Sequence, residues 1–474
     1  MSRLNMRAAL AAAMMALLTL AGQAQAQVPA DPFMASNGTW QQDYPDSWWA
    51  DRVGLGSGPQ SAWRQLPANP APVIVAVIDS GLDWNHLDVD WNALWTNPGE
   101  IADNGVDDDG NGYVDDMIGW NFLDNSNQPW DHDGHGTFVT GQISAGWNNG
   151  VGVAGVNPHA RIMVLRALNT FGNTRASYLA RAIVYAADNG ARIINMSVGG
   201  PGLTEVEREA LRYATEKGVL IVVAAGNDGQ PVEGFGLASS EQVITVGAAG
   251  LDDLRAPFSN YGSAIDLLAP GVDILSLRAR RTDTLRDIPG ANYTPGAAYV
   301  GEDRRYYRAS GTSFAAPIVT GIASLLLSAR PELTPAQLRN ILISTARDVG
   351  IPGVDQFSGY GMVNAAAALQ AEPDSFVTAA ISGVEVVQTA EGTGVAVNGS
   401  VAADRLSAAY VEIGAGEDPQ QWTRVIDPVA ANPGGRLGIV PAERFRGSAV
   451  WIIRLVVIGA NGQQREARFR LSLG

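Results

Sequence analysis

The sequence predicts an α/β fold, in which a parallel sheet carries helices on both faces, followed by a small C-terminal all-β domain. Three observations lead to this prediction: continuous apolar runs between residues 73 and 248, helical patterns between several of them, and short alternating runs after residue 373. Continuous apolar runs are typical of strands buried on both faces, and alternation with helices is typical of parallel sheets. The 474 residues are enough for two or three domains.

The strands of the predicted sheet are short and rich in β-branched residues. They are VIVAVID (73–79), RIMVLRAL (161–168), ARIINMS (191–197), VLIVVAA (219–225) and QVITVGA (242–248). Helical spacing of apolar residues predicts helices at 177–190, 203–218 and 333–346. Thr204 and Thr334 open the last two as N-caps. A parallel sheet of this kind forms its ligand sites at the carboxyl ends of the strands.

The chain divides into four predicted segments. Residues 1–26 combine a basic start, a short apolar run and an Ala-x-Ala ending, which predicts a secretory signal peptide cleaved after Ala26. Residues 27–70 are expected to form an extended arm that packs through its tryptophans. Residues 71–372 are expected to form the α/β domain, and residues 373–474 a β-sandwich-like domain. We therefore expect an extracellular or periplasmic protein.

Composition excludes several classes of function. The chain has no cysteine, which excludes disulfides, thiol catalysis and zinc–thiolate sites. Its net charge of −16 argues against nucleic acid and anionic membranes as partners, because both require basic surfaces. The same charge suits a soluble protein and suits bound cations. We expect no membrane span, and a monomer is favoured although the sequence does not fix the oligomeric state.

Four polar residues stand where chemistry could occur. Asp79 ends the first apolar strand, Asn227 follows a later one, His135 lies between two glycines, and Ser313 follows Gly-Thr at a predicted helix start. Free backbone N–H groups at a helix start favour an oxyanion. Each residue alone also has a purely structural interpretation, as a cap, a turn residue or a loop histidine, and these alternatives stay open residue by residue.

Taken together, these residues and their flanks resemble one family. Asp79, His135 and Ser313 follow the order found in subtilisin. The segments that carry the resemblance are VIDSGLDWNHLDV, DGHGTFVTG, INMSVGG, AAGNDG and SGTSFAAPIVTG. They resemble the subtilisin-like serine peptidases across residues 72–370, although Phe138 and Phe314 depart from the usual family residues. The resemblance implies a subtilisin-like sheet and a secreted serine endopeptidase that hydrolyses peptide bonds in protein or peptide substrates through an acyl-enzyme.

The resemblance also implies a role for each residue. Ser313 would be the nucleophile, His135 the general base, and Asp79 the carboxylate that orients His135. Asn227 would donate to the oxyanion. Backbone that pairs with an extended substrate is expected at Ser197, Val198 and Gly199. The family often carries a folded inhibitory propeptide. Residues 27–70 lack the alternating strand and helix patterns of such a propeptide, so we expect no separate prodomain.

The acidic stretch DNGVDDDGNGYVDD at 103–116 is a candidate metal site. Asp107, Asp109 and Asn111, followed by glycine, have the 1-3-5-6 spacing of a calcium loop. The twelfth position is Ile118 rather than glutamate, so Asp115 or Asp116 would have to complete another geometry, and Asp115 is the residue we assign. A structural Ca²⁺ is the cofactor this pattern predicts. A solvated acidic loop remains the alternative.

Two further alternatives concern specificity and activity. The polar segment 277–309 precedes Ser313 and holds many arginines, so it either sets specificity or is a surface excursion. The chain could also be a non-catalytic binding protein with an inert α/β domain. An esterase of the α/β-hydrolase type is disfavoured, because Ser313 lacks the Gly-x-Ser-x-Gly context.

Overall fold

The computed structural model describes residues 28–280, 282, 298–301, 303–390, 392–460 and 462–473. The predicted signal peptide at 1–26 lies outside the described residues. So does about half of the polar segment 277–309 (the insertion), namely residues 281, 283–297 and 302.

The described part of the chain contains the parallel sheet that the sequence predicts, with seven strands. In chain order they are β1 (Val73–Asp79), β2 (Gly119–Asn121), β3 (Ala160–Arg166), β4 (Ile193–Met196), β5 (Leu220–Ala224), β6 (Ile244–Ala249) and β7 (Leu267–Pro270). Their order across the sheet is β2-β3-β1-β4-β5-β6-β7, and all pairs are parallel. The five predicted runs form β1 and β3–β6. The strands β2 and β7 were not predicted, since three or four residues carry too little pattern.

Helices cover both faces of the sheet. They are α1 (Pro32–Ala35), α2 (Trp48–Arg52), α3 (His135–Ser144), α4 (Ala176–Asp188), α5 (Glu205–Glu216), α6 (Thr312–Ala329), α7 (Pro335–Ser344) and α8 (Ala365–Gln370). The predicted capping boxes form at Thr204 of α5 and Thr334 of α7. The helices α3 and α6 pack on one face of the sheet, and α4 and α5 pack on the other.

Strand β1 shows how the sequence specifies this two-sided burial. Side chains alternate between the faces of a strand. Val75 and Val77 accordingly join the core beneath α3 and α6, while Ala76 and Ile78 join the core beneath α4 and α5. Both cores are apolar, so β1 must be apolar throughout, and Asp79 is its first charged residue. The carboxylate therefore lies at the end of the strand, where the sheet opens.

The longest helix of the described chain, α6, is a core element. It is long and apolar enough to cross a bilayer by length and composition, which we did not expect of any segment after the signal peptide. However, 89% of its apolar window is buried inside the protein, as in the core helix of a globular fold. Small residues such as Gly321 permit this burial, because a Cβ there would lie 2.5 Å from Val156 Cβ. The helix start, with Ser313, is thus held rigidly against the sheet.

The segment 28–70 packs on the α/β core, but it is not extended throughout. It contains α1, α2 and a 3-10 turn at Ala62–Gln65. Trp48, Trp49 and Trp63 are buried in the core beside α6, as the tryptophan content suggested. Asp31 is also fully buried, and its carboxylate accepts backbone N–H bonds from residues 148–150. A carboxylate with three such donors anchors the segment firmly.

The C-terminal region forms two antiparallel sheets around one core, in agreement with the predicted all-β domain. One sheet contains β11 (Val377–Thr389), β12 (Gly392–Ala403) and β15 (Asn432–Pro441). The other contains β13 (Leu406–Ala415), β14 (Thr423–Ile426), β16 (Val450–Gly459) and β17 (Gln464–Ser472). Val397 of the first sheet and Leu455 of the second are both fully buried in the shared core. Val354 joins this region to the α/β core, since its N–H donates to Glu466 O at 2.6 Å.

A small antiparallel sheet precedes α6. It contains β8 (Ile274–Leu277), β9 (Tyr299–Val300) and β10 (Tyr306–Ala309), in the order β8-β10-β9. Strand β8 ends where the insertion begins, and β9 and β10 lie in its second half, so the sheet brings the two described ends of the insertion together. Tyr307 of β10 is almost fully buried against Phe138 of α3.

Candidate active site

Asp79 and His135 meet at the carboxyl end of β1. The Nδ1 atom of His135 lies 2.8 Å from Asp79 Oδ1, and the carboxylate is fully buried while the imidazole is 18% exposed. The N–H of Ser80 also donates to Asp79 Oδ1 at 2.7 Å. His135 is the first residue of α3, and Gly134 before it has a φ of 107°, a conformation that glycine adopts without strain. The glycine therefore turns the chain so that the ring faces Asp79.

A second carboxylate, Asp131, holds this turn together, and our sequence reasoning missed it. Its Oδ1 accepts the hydroxyl of Ser80 at 2.9 Å and the N–H of Gly134 at 2.8 Å. Its Oδ2 accepts both the N–H and the hydroxyl of Thr137. Asp131 is 1% exposed, so these bonds replace water completely. The residue fixes the backbone on both sides of His135 without touching the ring.

The carboxylates raise the pKa of His135. Burial alone would lower this pKa, because it disfavours the charged ring. The hydrogen bond and charge of Asp79, with the charges of Asp133 and Asp131, outweigh burial and raise the pKa to about 9. Burial in turn raises the pKa of Asp133 to about 6. The imidazole is therefore a stronger base than an ordinary histidine.

Ser313 lies in the first turn of α6, beside the segment that follows β4. Its Oγ donates to the backbone carbonyl of Ser197 at 3.2 Å, and Ser197 Oγ donates to the carbonyl of Ser313 at 2.8 Å. Among the described residues no hydrogen bond joins Ser313 to His135. The adjacent Phe314 ring nevertheless lies 5.6 Å from the His135 ring, centroid to centroid. Catalytic hydrogen bonds in ligand-free structures are often incomplete in this way.

Asn227 approaches the start of α6 from the neighbouring strand β5. Its side-chain oxygen accepts the N–H of Thr312 at 2.8 Å and the Thr312 hydroxyl at 3.0 Å. These two donors fix the orientation of the amide, since only the oxygen can accept them. The amide N–H₂ is thereby turned away from Thr312. Thr312 is the orienting residue that the sequence did not reveal, although it immediately precedes Ser313.

The acidic loop brings together three carboxylates, and they differ partly from the predicted ligands. Carboxylate oxygens of Glu100, Asp109 and Asp116 lie within 4.8 Å of one another. Asp107 accepts backbone N–H groups of Asn111 and Gly112. The four predicted ligands thus contribute one carboxylate to the cluster, that of Asp109. Of the remaining predicted ligands, Asp115 accepts the N–H groups of residues 104 and 105.

The described ends of the insertion return beside His135. Thr282 packs against Gly134, where an added Cβ would lie 2.6 Å from the threonine Oγ1. Arg280 pairs with buried Asp83 at 3.2 Å. Thr282 and Arg280 border a cavity of about 710 Å³. Its lining is rich in arginine and comprises Trp130, Asp131, His132, Arg278, Arg280, Thr282, Asp303, Arg304 and Arg305. The two interpretations of the insertion, as a specificity element and as a surface excursion, both stay predictions.

Comparison with known proteins agrees with this fold and site. A family model described as the subtilase family matches residues 71–361. A thermophilic serine proteinase from a Bacillus strain is 35% identical over 340 residues, which are 71% of this chain and 71% of that protein. An extracellular protease of Xanthomonas campestris is 33% identical over 361 residues, covering 71% of this chain and 56% of that protein. A solved protease structure from Pseudoalteromonas arctica has a TM-score of 0.53 at 28% identity, covering 73% of this chain and 99% of that chain.

The chain shares its doubly covered parallel sheet with a solved protease, and its buried Asp–His pair lies at the end of the first strand. The chain belongs to the subtilase family, and it is a serine-type endopeptidase. The sequence-based recognition of the family and the predicted fold class are confirmed.

Proposed function

We propose that this chain cleaves peptide bonds through an Asp79–His135–Ser313 triad and an acyl-enzyme. The observation that carries the proposal is the 2.8 Å bond between His135 Nδ1 and Asp79, because it leaves Nε2 as the imidazole nitrogen that can accept a proton. Ser313 is held at the adjacent helix start, where its hydroxyl donates to the backbone carbonyl of Ser197. A substrate that takes over the Ser197 carbonyl would release this hydroxyl toward His135.

The covalent steps follow from this arrangement. Ser313 Oγ forms a bond to the scissile carbonyl carbon as its proton passes to His135 Nε2. The C–N bond then breaks, and the same proton goes to the leaving amine. Water repeats the sequence on the acyl-enzyme and releases the acid product. Asp79 keeps the imidazole in the correct tautomer and stabilises the imidazolium between the two proton transfers.

Two donors support the tetrahedral oxyanion in this proposal. The N–H₂ group of Asn227, turned away from Thr312, is one, and the backbone N–H of Ser313 at the start of α6 is the other. The backbone of Ser197, Val198 and Gly199 would pair with the extended substrate. Since Ser197 Oγ bonds the Ser313 carbonyl, this segment is fixed relative to the nucleophile. The substrate strand and the reacting serine would thus be held in one register.

A fluorophosphonate probe tests the proposal directly. The wild-type protein should be labelled on Ser313, and the Ser313→Ala variant should not be labelled. Equal labelling of both proteins would contradict the assignment. An unlabelled wild-type protein that also fails to hydrolyse casein would favour the non-catalytic binding alternative.

The raised pKa of His135 predicts an alkaline pH profile. The base must be neutral in the free enzyme, so kcat/KM should rise with pH along a limb whose apparent pKa lies above the ordinary 6.5 and toward 9. Asp133→Asn should shift this limb to lower pH, because it removes one of the charges that raise the His135 pKa. The backbone N–H of His135 donates to Asp133 Oδ1 at 3.1 Å, and the asparagine oxygen can still accept this bond.

The pH profile of Asp418→Asn provides the control. Asp418 is an exposed acid of the C-terminal region, so its removal should leave the limb in place. A limb near 6.5 in the wild type, or equal shifts in both variants, would contradict the prediction. The pH profiles should be measured at two salt concentrations. Salt screens distant surface charges more strongly than the nearby charge of Asp133, so the two contributions to the His135 pKa can be separated.

We further propose that the acidic loop binds a structural calcium ion. Calcium takes oxygen ligands, and the cluster supplies two buried carboxylates, Glu100 and Asp116, and an exposed one, Asp109. The amide N–H₂ groups of Asn97 and Asn111 each donate to both Asp109 and Asp116. Both amides are oriented by backbone donors, since Asn97 Oδ1 accepts the N–H of residue 99 and Asn111 Oδ1 accepts the N–H of residue 113, so the amide groups tie the two carboxylates together. The residues fit the ion.

Calcium removal should lower the melting temperature, and excess calcium should restore it. Asp116→Asn should reduce this calcium-dependent shift, because Asp116 is the fully buried member of the cluster. Asp103→Asn is the matched control: Asp103 is exposed on the same loop outside the cluster, and asparagine tolerates its positive φ of 59°. A full-sized calcium shift in Asp116→Asn would refute calcium binding by this cluster.

Secretion completes the proposal. The predicted signal peptide supports it, as does the Xanthomonas campestris relative, which is an extracellular protease. The substrates would then be proteins or peptides in the periplasm or the medium.

A further inference from the structure

The two segments that border the nucleophile leave a narrow slot between them. Segment 197–199 follows β4, segment 225–227 follows β5, and these strands are neighbours in the sheet. Both segments are bonded to the start of α6, through Ser197 on one side and Asn227 on the other. Each carries a glycine, Gly199 or Gly226, so neither projects a side chain at that point.

The aromatic ring of Phe235 occupies this slot. A Cβ added to Gly199 would lie 2.3 Å from Phe235 Cε1, and a Cβ added to Gly226 would lie 2.5 Å from the same atom. One ring edge therefore rests against the backbone of both walls. The ring is half-buried and packs on the core that includes Val198 and Leu237.

The ring is held in this position by its own backbone. The N–H of Phe235 donates to Val232 O at 2.8 Å, and Val232 N–H donates to Tyr261 O at 2.7 Å. The next residue, Gly236, approaches segment 197–202 so closely that a Cβ would lie 2.6 Å from Gly200 O. Loop 232–236 is thus fixed at both ends, and swinging the ring out of the slot would require the loop to move.

The slot is where the proposed mechanism directs one substrate side chain. The scissile carbonyl must lie at Ser313 Oγ with its oxygen toward Asn227, while the chain before it pairs with segment 197–199. The residue that supplies this carbonyl, P1, then points its side chain between the two segments. We propose that Phe235 closes this pocket, so that the enzyme cleaves after small residues such as glycine, alanine or serine. This inference rests on the proposed function.

Space for a larger side chain exists elsewhere along the same segment. A separate cavity of about 300 Å³ is lined by Leu179, Val198, Gly200 and Leu237, among others, and neither Phe235 nor Gly226 borders it. The site is therefore not closed to larger side chains at every position of the substrate. The restriction applies to the position next to the scissile bond.

Peptide p-nitroanilides that differ only at P1 test the inference. The wild-type enzyme should hydrolyse the P1-alanine substrate with a kcat/KM at least about tenfold above that of the P1-phenylalanine substrate. A pocket that is too small for one of two side chains typically separates their kcat/KM values by about this factor or more. Phe235→Ala should raise the phenylalanine-to-alanine ratio at least about tenfold. Phe235→Leu, which preserves more of the packing, should raise it by a smaller factor.

Phe357→Ala is the matched control, because Phe357 is also half-buried and aromatic but packs on Tyr261 and Arg255. It should leave the ratio unchanged. A wild-type enzyme that cleaves equally well after phenylalanine, or an unchanged ratio in both Phe235 variants, overturns the inference while leaving the peptidase activity intact. Failure of the proposed function has a different signature: no fluorophosphonate labelling and no hydrolysis of any substrate. Active enzyme in each preparation is counted by the same labelling.

Discussion

Replacing Ser313 by alanine should lower kcat by about 10⁶-fold, which is the loss known for the nucleophile of subtilisin, a member of the same family. The substitution removes the only atom that forms the covalent bond to substrate. It removes little else, since Ser313 Oγ makes one hydrogen bond, at 3.2 Å, to an acceptor that water can satisfy. Asn227 and the helix N–H groups remain, so a residual rate above that of water should persist.

Ser328→Ala is the control for this experiment. Ser328 lies on the same helix α6, is buried, and accepts from Asn157 at 3.1 Å. Its loss should cost stability of about 1 kcal/mol through the unpaired donor but leave kcat unchanged. Substrate binding by Ser313→Ala, measured by calorimetry with an uncleaved peptide, should match the wild type. A Ser313→Ala enzyme that retains more than a hundredth of the wild-type kcat would disprove the nucleophile assignment.

The sequence predicted those features of the site that depend on local pattern. Asp79 could be placed because an uninterrupted apolar run has to end where the sheet opens, and the carboxylate is the first residue after it. The starts of α5 and α7 could be placed because Thr204 and Thr334 each find their capping partner three residues later. Such interactions span a few residues, so composition and spacing suffice to specify them.

Contacts between distant segments could not be predicted in this way. Thr312 orients Asn227 from 85 residues away, and Ser197 contacts Ser313 across 116 residues. Phe235 reaches Gly199 and Gly226 only because the 3-10 turn before it aims the ring at them. None of these pairs has a periodic signature. Each depends on the order of strands in the sheet, which brings the ends of β4 and β5 to the start of α6.

The acidic loop shows the same limit. Spacing alone indicated Asp107, Asp109 and Asn111, because they follow the pattern of a continuous calcium loop, and Asp115 was added to complete the set. In the structure several of these side chains instead accept backbone N–H groups and shape the turns. Glu100, seven residues before the first of them, reaches the cluster because the loop folds back on itself. The tertiary path decides which oxygens converge.

Replacing Asp79 by asparagine should lower kcat by about 10⁴-fold at neutral pH, the size of loss seen for this change in the unrelated chymotrypsin-type triad. Asparagine is nearly the same size, so packing in this buried site is preserved. Its amide nitrogen can donate to Nδ1 of His135, where the carboxylate now accepts at 2.8 Å. The imidazole would then carry its proton on Nε2, the nitrogen that has to receive the proton of Ser313.

The same substitution should lower the pKa of His135. This second effect distinguishes a specific role of Asp79 at His135 from a general disruption of the structure. Burial already lowers that pKa, and Asp79 is the main group that raises it. The limb of the kcat/KM profile should therefore move to lower pH in Asp79→Asn, even as the plateau falls. Asp124→Asn, which removes an exposed carboxylate paired with Arg166, should change neither the limb nor the plateau. A plateau that falls less than tenfold, or a limb that stays in place, would show that Asp79 is not the group that controls the protonation of His135.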